Sequence, residues 1–191
     1  MTTVRTFLAI PLPETLRNYL AQFSKTFIDK NDRINWVRPG NIHITLNFLG
    51  EADPAVIDEQ AISFEEQISM HSSFRMGTLD TGIYPHANDP KVLWVGAAPY
   101  GNGLASLLAG LNDVVKQLGY ELDNRKFQPH ITLGRVKSIS RKSTFIHNFL
   151  SKEVRETDFV VDEIKWYQST LTATGAIYEE LKTFKLKTGG Q

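Results

Sequence analysis

The chain has 191 residues, 41% hydrophobic and 22% charged, and its 21 basic and 21 acidic side chains cancel to a net charge of zero. This is the composition of a folded soluble protein with enough chain to bury a real core, and it excludes a disordered chain and one drawn to bulk nucleic acid by its overall field. The chain holds no cysteine, which excludes disulfides, thiol nucleophiles and thiolate metal sites and fits a reducing compartment.

At the amino terminus the apolar run Phe7-Leu8-Ala9-Ile10 is too short for a secretory signal and stops at Pro11, and no stretch is long enough to span a bilayer. A cytoplasmic location with no membrane partner is expected. Residues 4–10 are rich in strand formers and predict a first strand. Leu16, Leu20, Phe23 and Phe27 then recur at helical spacing and predict an amphipathic helix over 13–28. Ile34 to Val37 reads as a short strand closed by Pro39-Gly40, and a strand ending at Gly50 follows.

Behind Asp53-Pro54, the pattern Ile57, Ala61, Phe64, Ile68 predicts a second helix over 54–69. Strands are expected at 74–83 and 91–97, separated by the turn chemistry of Tyr84-Pro85-His86-Ala87-Asn88-Asp89-Pro90. Leucines and valines from Leu104 to Leu118 define a third helix, capped by Gly119. After another strand, Phe145 to Leu150 suggests a short fourth helix, and 158–173 and 176–187 two long closing strands.

One string organises this order. Asn41-Ile42-His43-Ile44-Thr45-Leu46 returns as Pro129-His130-Ile131-Thr132-Leu133, with Gly50 and Gly134 close behind. On a strand, alternate side chains share a face, so His43 and Thr45 point one way while Ile42, Ile44 and Leu46 point the other. The second copy divides likewise. The halves share the order helix, loop, His-x-Thr strand, helix, which predicts an α+β fold in one bilobal unit over residues 1–191. It would have two pseudo-symmetric lobes, each an antiparallel sheet with outer helices. The two motif strands would face each other across a central cleft, with strands free to exchange between lobes.

A lone histidine on a strand is ordinarily satisfied by a neighbour and has no chemical role. Two in matching frames, each beside a hydroxyl, suit proton transfer around a bound phosphate. Imidazole alone among side chains titrates near neutrality without perturbation, and a pair can take one proton while giving another. The threonines can donate to non-bridging oxygens, and Arg135 can add a charged donor. The spacing alone leaves open which histidine is acid and which base.

Between Asp123 and Lys142 lie Arg125, Lys126, Arg135, Lys137, Arg141 and Lys142 against only Asp123, which suits an anionic ligand and equally a solvated basic face. Trp36 and Trp94 sit among apolar strand residues and suit packing; Phe48 is the better candidate to stack on a base. His71, His86 and His147 share no ligand spacing and receive no role. A zinc site from His43, His130 and a carboxylate is disfavoured, because neither motif carries Asp or Glu beside its histidine. No phosphate loop, Gly-x-Ser-x-Gly or dinucleotide fingerprint occurs.

These residues resemble the 2H phosphoesterase superfamily, and within it the RNA 2′,3′-cyclic phosphodiesterases, also called the 2′-5′ RNA ligase family. The resemblance covers almost the whole chain. It runs through Phe7 to Pro13, His43 to Gly50, Val92 to Gly96, Phe127 to Arg135, Ser169 to Leu171 and Tyr178 to Leu181. It implies hydrolysis of RNA 2′,3′-cyclic phosphate ends to 2′-phosphates with no metal and no cofactor. RNA, such as tRNA fragments, or small cyclic nucleotides would be the substrate and the protein would act as a monomer. It further implies His130 as general base and His43 as general acid, Thr45 and Thr132 holding the phosphate, and Arg135, Gln128 and Phe48 lining the pocket. Two other readings stand beside it. One is an RNA-end or nucleotide-binding module with little turnover, against which two titratable imidazoles argue. The other is a phosphodiesterase for a small cyclic phosphate such as an ADP-ribose derivative.

Overall fold

The computed structural model describes residues 3–28, 32–140, 143–172 and 175–189. The first strand, β1 (Val4–Pro11), ends at its proline, and Pro13 leads into α1 (Glu14–Lys25), whose Leu16, Leu20 and Phe23 are buried. β2 (Arg33–Trp36) follows, then a single 3-10 turn at Pro39–Asn41 and β3 (His43–Ala52). The Asp53 carboxylate accepts from the Ala55 amide at 2.9 Å and opens a turn into α2 (Ile57–Ser69). β4 (Phe74–His86) and β5 (Asp89–Pro99) form a hairpin. α3 (Gly103–Gln117), β6 (His130–Ser138) and α4 (Phe145–Ser151) come next, then β7 (Asp158–Val161), β8 (Glu163–Thr172) and β9 (Gly175–Lys185).

All the ladders between these strands are antiparallel, and they join them in the order β7-β4-β5-β6-β3-β1-β8-β9, with β2 also on β6. The centre of that order is thin: β3 and β6 are paired only through Ile44 opposite Ile131. Both isoleucines are fully buried, and burying each contributes about 1.5–3 kcal/mol. On either side the strands splay into two lobes. One consists of β3, β1, β8 and β9 backed by α2 and α3, with Phe64 edge-on to Trp166 at 5.3 Å and Asn47 bonded to Asn112 of α3 at 2.8 Å. The other consists of β7, β4, β5, β6 and β2 backed by α1 and α4, where Phe27 meets Phe149 at 5.2 Å and Trp36 meets Phe145 at 6.3 Å.

The expected α+β architecture of two lobes with outer helices is therefore present, and the exchange between lobes is extensive. α1 leaves β1 of one lobe and packs on the other, its Phe23 meeting Phe149 of α4 at 6.5 Å, while β8 and β9 return from the carboxy-terminal half to complete the first. The expected strand over 158–173 is two strands. β7 pairs with β4, β8 pairs with β1, and the chain crosses between lobes at Asp162. A strand cannot serve two sheets that diverge, so the ladder breaks there although the residue pattern continues. The hairpin strands run further than expected, to His86 and from Asp89, because Tyr84 pairs with Val92 and Pro85 with Pro90 inside the turn-like segment.

Candidate active site

The central Ile44 and Ile131 pair sets the geometry of everything around it. In an antiparallel register, placing these two opposite each other sets His43 toward Thr132 and Thr45 toward His130, about a local two-fold. Alternation then puts all four polar side chains on one face and the isoleucines on the other. Burial agrees: Ile42, Ile44, Leu46, Ile131 and Leu133 are all in the core, and the histidines and threonines are half-buried on the cleft side.

Each motif carries a bulge at the leucine after its threonine. On β1, Ala9 faces Thr45 and the next residue, Leu8, faces Asn47, so Leu46 is skipped. On β5, Trp94 faces Thr132 and Leu93 faces Gly134, so Leu133 is skipped. One extra residue reverses the alternation. Asn47 consequently turns to α3 and Gly134 to the core, and the residues five places after each histidine, Phe48 and Arg135, come round to the cleft face. Phe48 is 54% exposed there, 6.3 Å from Phe7, and Arg135 is exposed.

Gly134 has no room for a side chain: a Cβ would lie 2.9 Å from Cγ2 of Ile34 and 3.0 Å from Cε3 of Trp36. Gly134→Val is expected to cost about 1–3 kcal/mol in urea denaturation through this overpacking. An unchanged midpoint would show that the bulge tolerates a side chain.

The two imidazoles are held alike at one nitrogen. Nδ1 of His43 lies 2.8 Å from the Asn41 carbonyl, and Nδ1 of His130 lies 2.9 Å from the Gln128 carbonyl. A carbonyl only accepts, so each ring carries its hydrogen on Nδ1 and leaves Nε2 for the cleft. In His43 that nitrogen is 3.0 Å from the Thr45 hydroxyl, which donates to it when the ring is neutral.

Beyond this the surroundings differ. His43 stacks on Phe7 at 5.0 Å and meets the edge of Tyr178 at 5.3 Å, with Tyr167 at 6.3 Å. Its burial pushes its pKa down to about 4, the Asn41 carbonyl opposing and the charge of His130 adding to the shift. His130 is bordered by Tyr84 at 5.2 Å, edge-on, and Trp94 at 6.1 Å. Trp94 lies across Gly82, where a Cβ would be 2.1 Å from the indole. Its indole both packs and forms a wall beside His130.

Of the residues expected at the site, His43, His130, Thr45 and Thr132 share the central face, with Phe48 and Arg135 at its margin. Gln128 contributes its backbone carbonyl to His130 while the residue itself is exposed. The basic run divides. Arg125 is bound to Asp123, and its charge reaches Tyr84; Arg135 forms no ion pair among the described residues, and its charge reaches Tyr178. Arg141 and Lys142 lie outside the described residues. Lys165, opposite Ala9 on the cleft face, is taken up by Glu180 at 2.6 Å and Glu163 at 3.7 Å. His71 and His86 bond near their own elements, away from the motifs. Among the described residues no three His, Cys, Asp or Glu side chains converge to hold a metal ion. No helix of the described residues is long and apolar enough to cross a membrane. A cavity of about 590 Å³ between α4 and the segment after α1, lined by Thr26, Asp32, Ser143 and Asn148 among others, holds none of the motif side chains.

Sequence reasoning did not find Phe7, Tyr167, Tyr178 and Tyr84, the aromatic walls around the imidazoles. Each lies on a different strand from the histidine it meets, and no local spacing announces it. The glycine at 82 opposite Trp94 was the one signal, since a glycine inside a strand marks close approach.

The arrangement has relatives. A model of LigT-like phosphoesterases matches the chain twice in succession, over residues 10–94 and 95–178. The chain is 34% identical over 180 residues, 94% of its length and 99% of the relative's, to the RNA 2′,3′-cyclic phosphodiesterase of Methanocaldococcus jannaschii. It is 32% identical over 190 residues to the protein of the same description from Aquifex aeolicus, covering 97% and 99% of the two chains. Among solved structures, one from Thermus thermophilus superposes with a TM-score of 0.79 at 26% identity, covering 97% of this chain and 100% of the other. Escherichia coli LigT complexed with 3′-AMP has the same fold, with a TM-score of 0.75 at 24% identity, covering 97% and 99%.

Proposed function

The chain belongs to the LigT-like phosphoesterase family, and on that premise we propose that it hydrolyses RNA 2′,3′-cyclic phosphate ends to 2′-phosphates by acid–base catalysis between His43 and His130. The observation that carries this reading is the single Ile44 and Ile131 pair, which turns two His-x-Thr units into one four-residue cluster. A cyclic phosphate seated on the cluster meets a hydroxyl from each lobe and an imidazole on each side. Thr45 and Thr132 donate to the non-bridging oxygens, and Arg135 supplies the charge. His130 takes a proton from water as its oxygen bonds to phosphorus. The bond from phosphorus to O3′ breaks, and His43 delivers a proton to O3′. The proton count is unchanged, and the pair returns to its starting state once a proton passes back through solvent.

His43 is neutral at pH 7 without substrate. The cyclic phosphate brings a negative charge beside Nε2, which favours the protonated ring, so the acid forms on binding. Phe48 offers a face for a base at the margin. With an RNA hydroxyl in place of water the same groups join ends as a 2′-5′ ligase. The protein is read as a cytoplasmic monomer. Its substrate class is RNA ends such as tRNA fragments, or small cyclic nucleotides.

The test is turnover of an oligonucleotide ending in a 2′,3′-cyclic phosphate, followed by phosphate position in the product. Activity is expected to survive EDTA, because both proton transfers are assigned to imidazole; abolition by the chelator with restoration by a divalent ion would reject the mechanism. Arg135→Ala is expected to raise KM about tenfold, the loss of one charge-assisted contact. Unchanged steady-state constants would remove Arg135 from the site.

A further inference from the structure

The two histidines occupy matching motifs, with matching tautomers and matching carbonyl partners, yet their cover differs: His43 packs among Phe7, Tyr167 and Tyr178, whereas His130 meets Tyr84 and Trp94. The difference comes from the far end of the sheet. In ladder order β9 is three strands from β3. At about 4.8 Å per strand a flat sheet would hold them roughly 14 Å apart. Instead the β8–β9 hairpin curls over the concave face. Tyr167, the ladder partner of Phe7 on neighbouring β8, stacks on it at 5.4 Å, and Tyr178 of β9 reaches over to Phe7 at 5.0 Å and to His43 at 5.3 Å, leaving Phe7 only 3% exposed although it faces the cleft.

The start of β9 is tied where it lands. The side-chain amide of Asn41 donates to the Ala176 carbonyl at 2.8 Å, two residues before Tyr178, while the backbone carbonyl of the same Asn41 holds Nδ1 of His43. Gln128, the counterpart in the second motif, offers His130 its carbonyl, but its side chain is exposed and bonds to nothing among the described residues. We propose that Asn41 is a positioning residue that latches the start of β9 over His43, and that this latch is what makes two otherwise equivalent histidines unequal. The proposal rests on the reading that His43 acts in the reaction only for its catalytic meaning; the latch itself is a statement about the unliganded protein.

The groups facing His43 are Phe7 of β1, Tyr167 of β8, Tyr178 of β9, Thr45 of its own strand and His130 of β6, with Arg5 and Arg135 acting on Tyr178. None of these changes in Asn41→Ala, which keeps the backbone carbonyl and removes only the latch. If the latch holds, losing it lets Tyr178 swing away and water reach the imidazole, so the ring titrates nearer its ordinary value.

The experiment is a pH titration of the histidine ring nitrogens by NMR, on the full chain without substrate. Asn41→Ala is expected to raise the His43 midpoint by about one pH unit or more, and Tyr178→Ala to do the same. The double variant should move it no further than either alone, since both remove one device. Gln128→Ala should leave the His43 midpoint in place. An Asn41→Ala midpoint equal to that of the wild type overturns the proposal, as does a wild-type His43 carrying its hydrogen on Nε2. Should Asn41→Ala fail to fold, Asn41→Ser and the wild-type tautomer decide the matter. Because no substrate is used, the latch can fail while the catalytic reading stands, and the reverse.

Discussion

His43→Ala and His130→Ala are each expected to lower turnover of a 2′,3′-cyclic phosphate oligonucleotide by about two to four orders of magnitude, the range for removal of a positioned general acid or base. The loss should fall on kcat more than on KM, because the threonines and Arg135 that hold the phosphate remain. The half-buried His130 is replaced at little structural cost. His43 leaves a gap against Phe7 and Tyr178, so circular dichroism and a denaturation midpoint must accompany its kinetics. The two losses should be far from additive, since each histidine is of little use without the other. A p-nitrophenyl phosphodiester separates the roles. Its leaving group needs no protonation, so it should restore much of the rate to the acid variant and none to the base variant. Wild-type turnover in either single variant would sink the two-histidine mechanism.

The cluster of four was legible in the sequence because everything that builds it is local: alternation along a strand and recurrence of one pentapeptide. Both leucine bulges are also local, yet they are visible only in pairing, when Leu46 and Leu133 prove to have no partner on the neighbouring strand. Simple alternation would have sent Phe48 and Arg135 to the core; the chemistry of a ring and a guanidinium close behind the motifs, together with family resemblance, puts them at the site, and the bulges supply the physical reason. The crossing at Asp162 and the packing of α1 on the opposite lobe depend on contacts between distant segments, which no window of the sequence contains. The same holds for Tyr178. Family resemblance covers Tyr178 to Leu181 but nothing in that stretch points toward a histidine, and the place of Tyr178 beside His43 follows from the curl of a hairpin that begins fifteen residues earlier at Glu163. That curl distinguishes one half of the repeat from the other.

The inequality of the histidines has a consequence for stability that can be measured without any substrate. The pKa of His43 is lowered from 6.5 to about 4 in the native protein. Between those values the unfolded chain binds a proton that the native protein does not, so stability rises with pH across the window. The contribution is complete above pH 6.5 and disappears as pH falls toward 4. A shift of this size corresponds to about 3 kcal/mol, and because the ring is half-buried with an edge open to the cleft, solvent trims this to on the order of 2 kcal/mol. Carboxylates titrate over part of the same range. Glu180, for one, is held low by its hydrogen bonds from Lys165 and Thr183. The comparison must therefore be between proteins. His43→Phe keeps an aromatic ring between Phe7 and Tyr178 and cannot titrate. Urea denaturation at pH 7 and pH 4.5 is expected to show the wild type losing on the order of 2 kcal/mol more than this variant. Equal losses in the two proteins would mean that His43 titrates at an ordinary pKa, and that the aromatic cover does not exclude water from it.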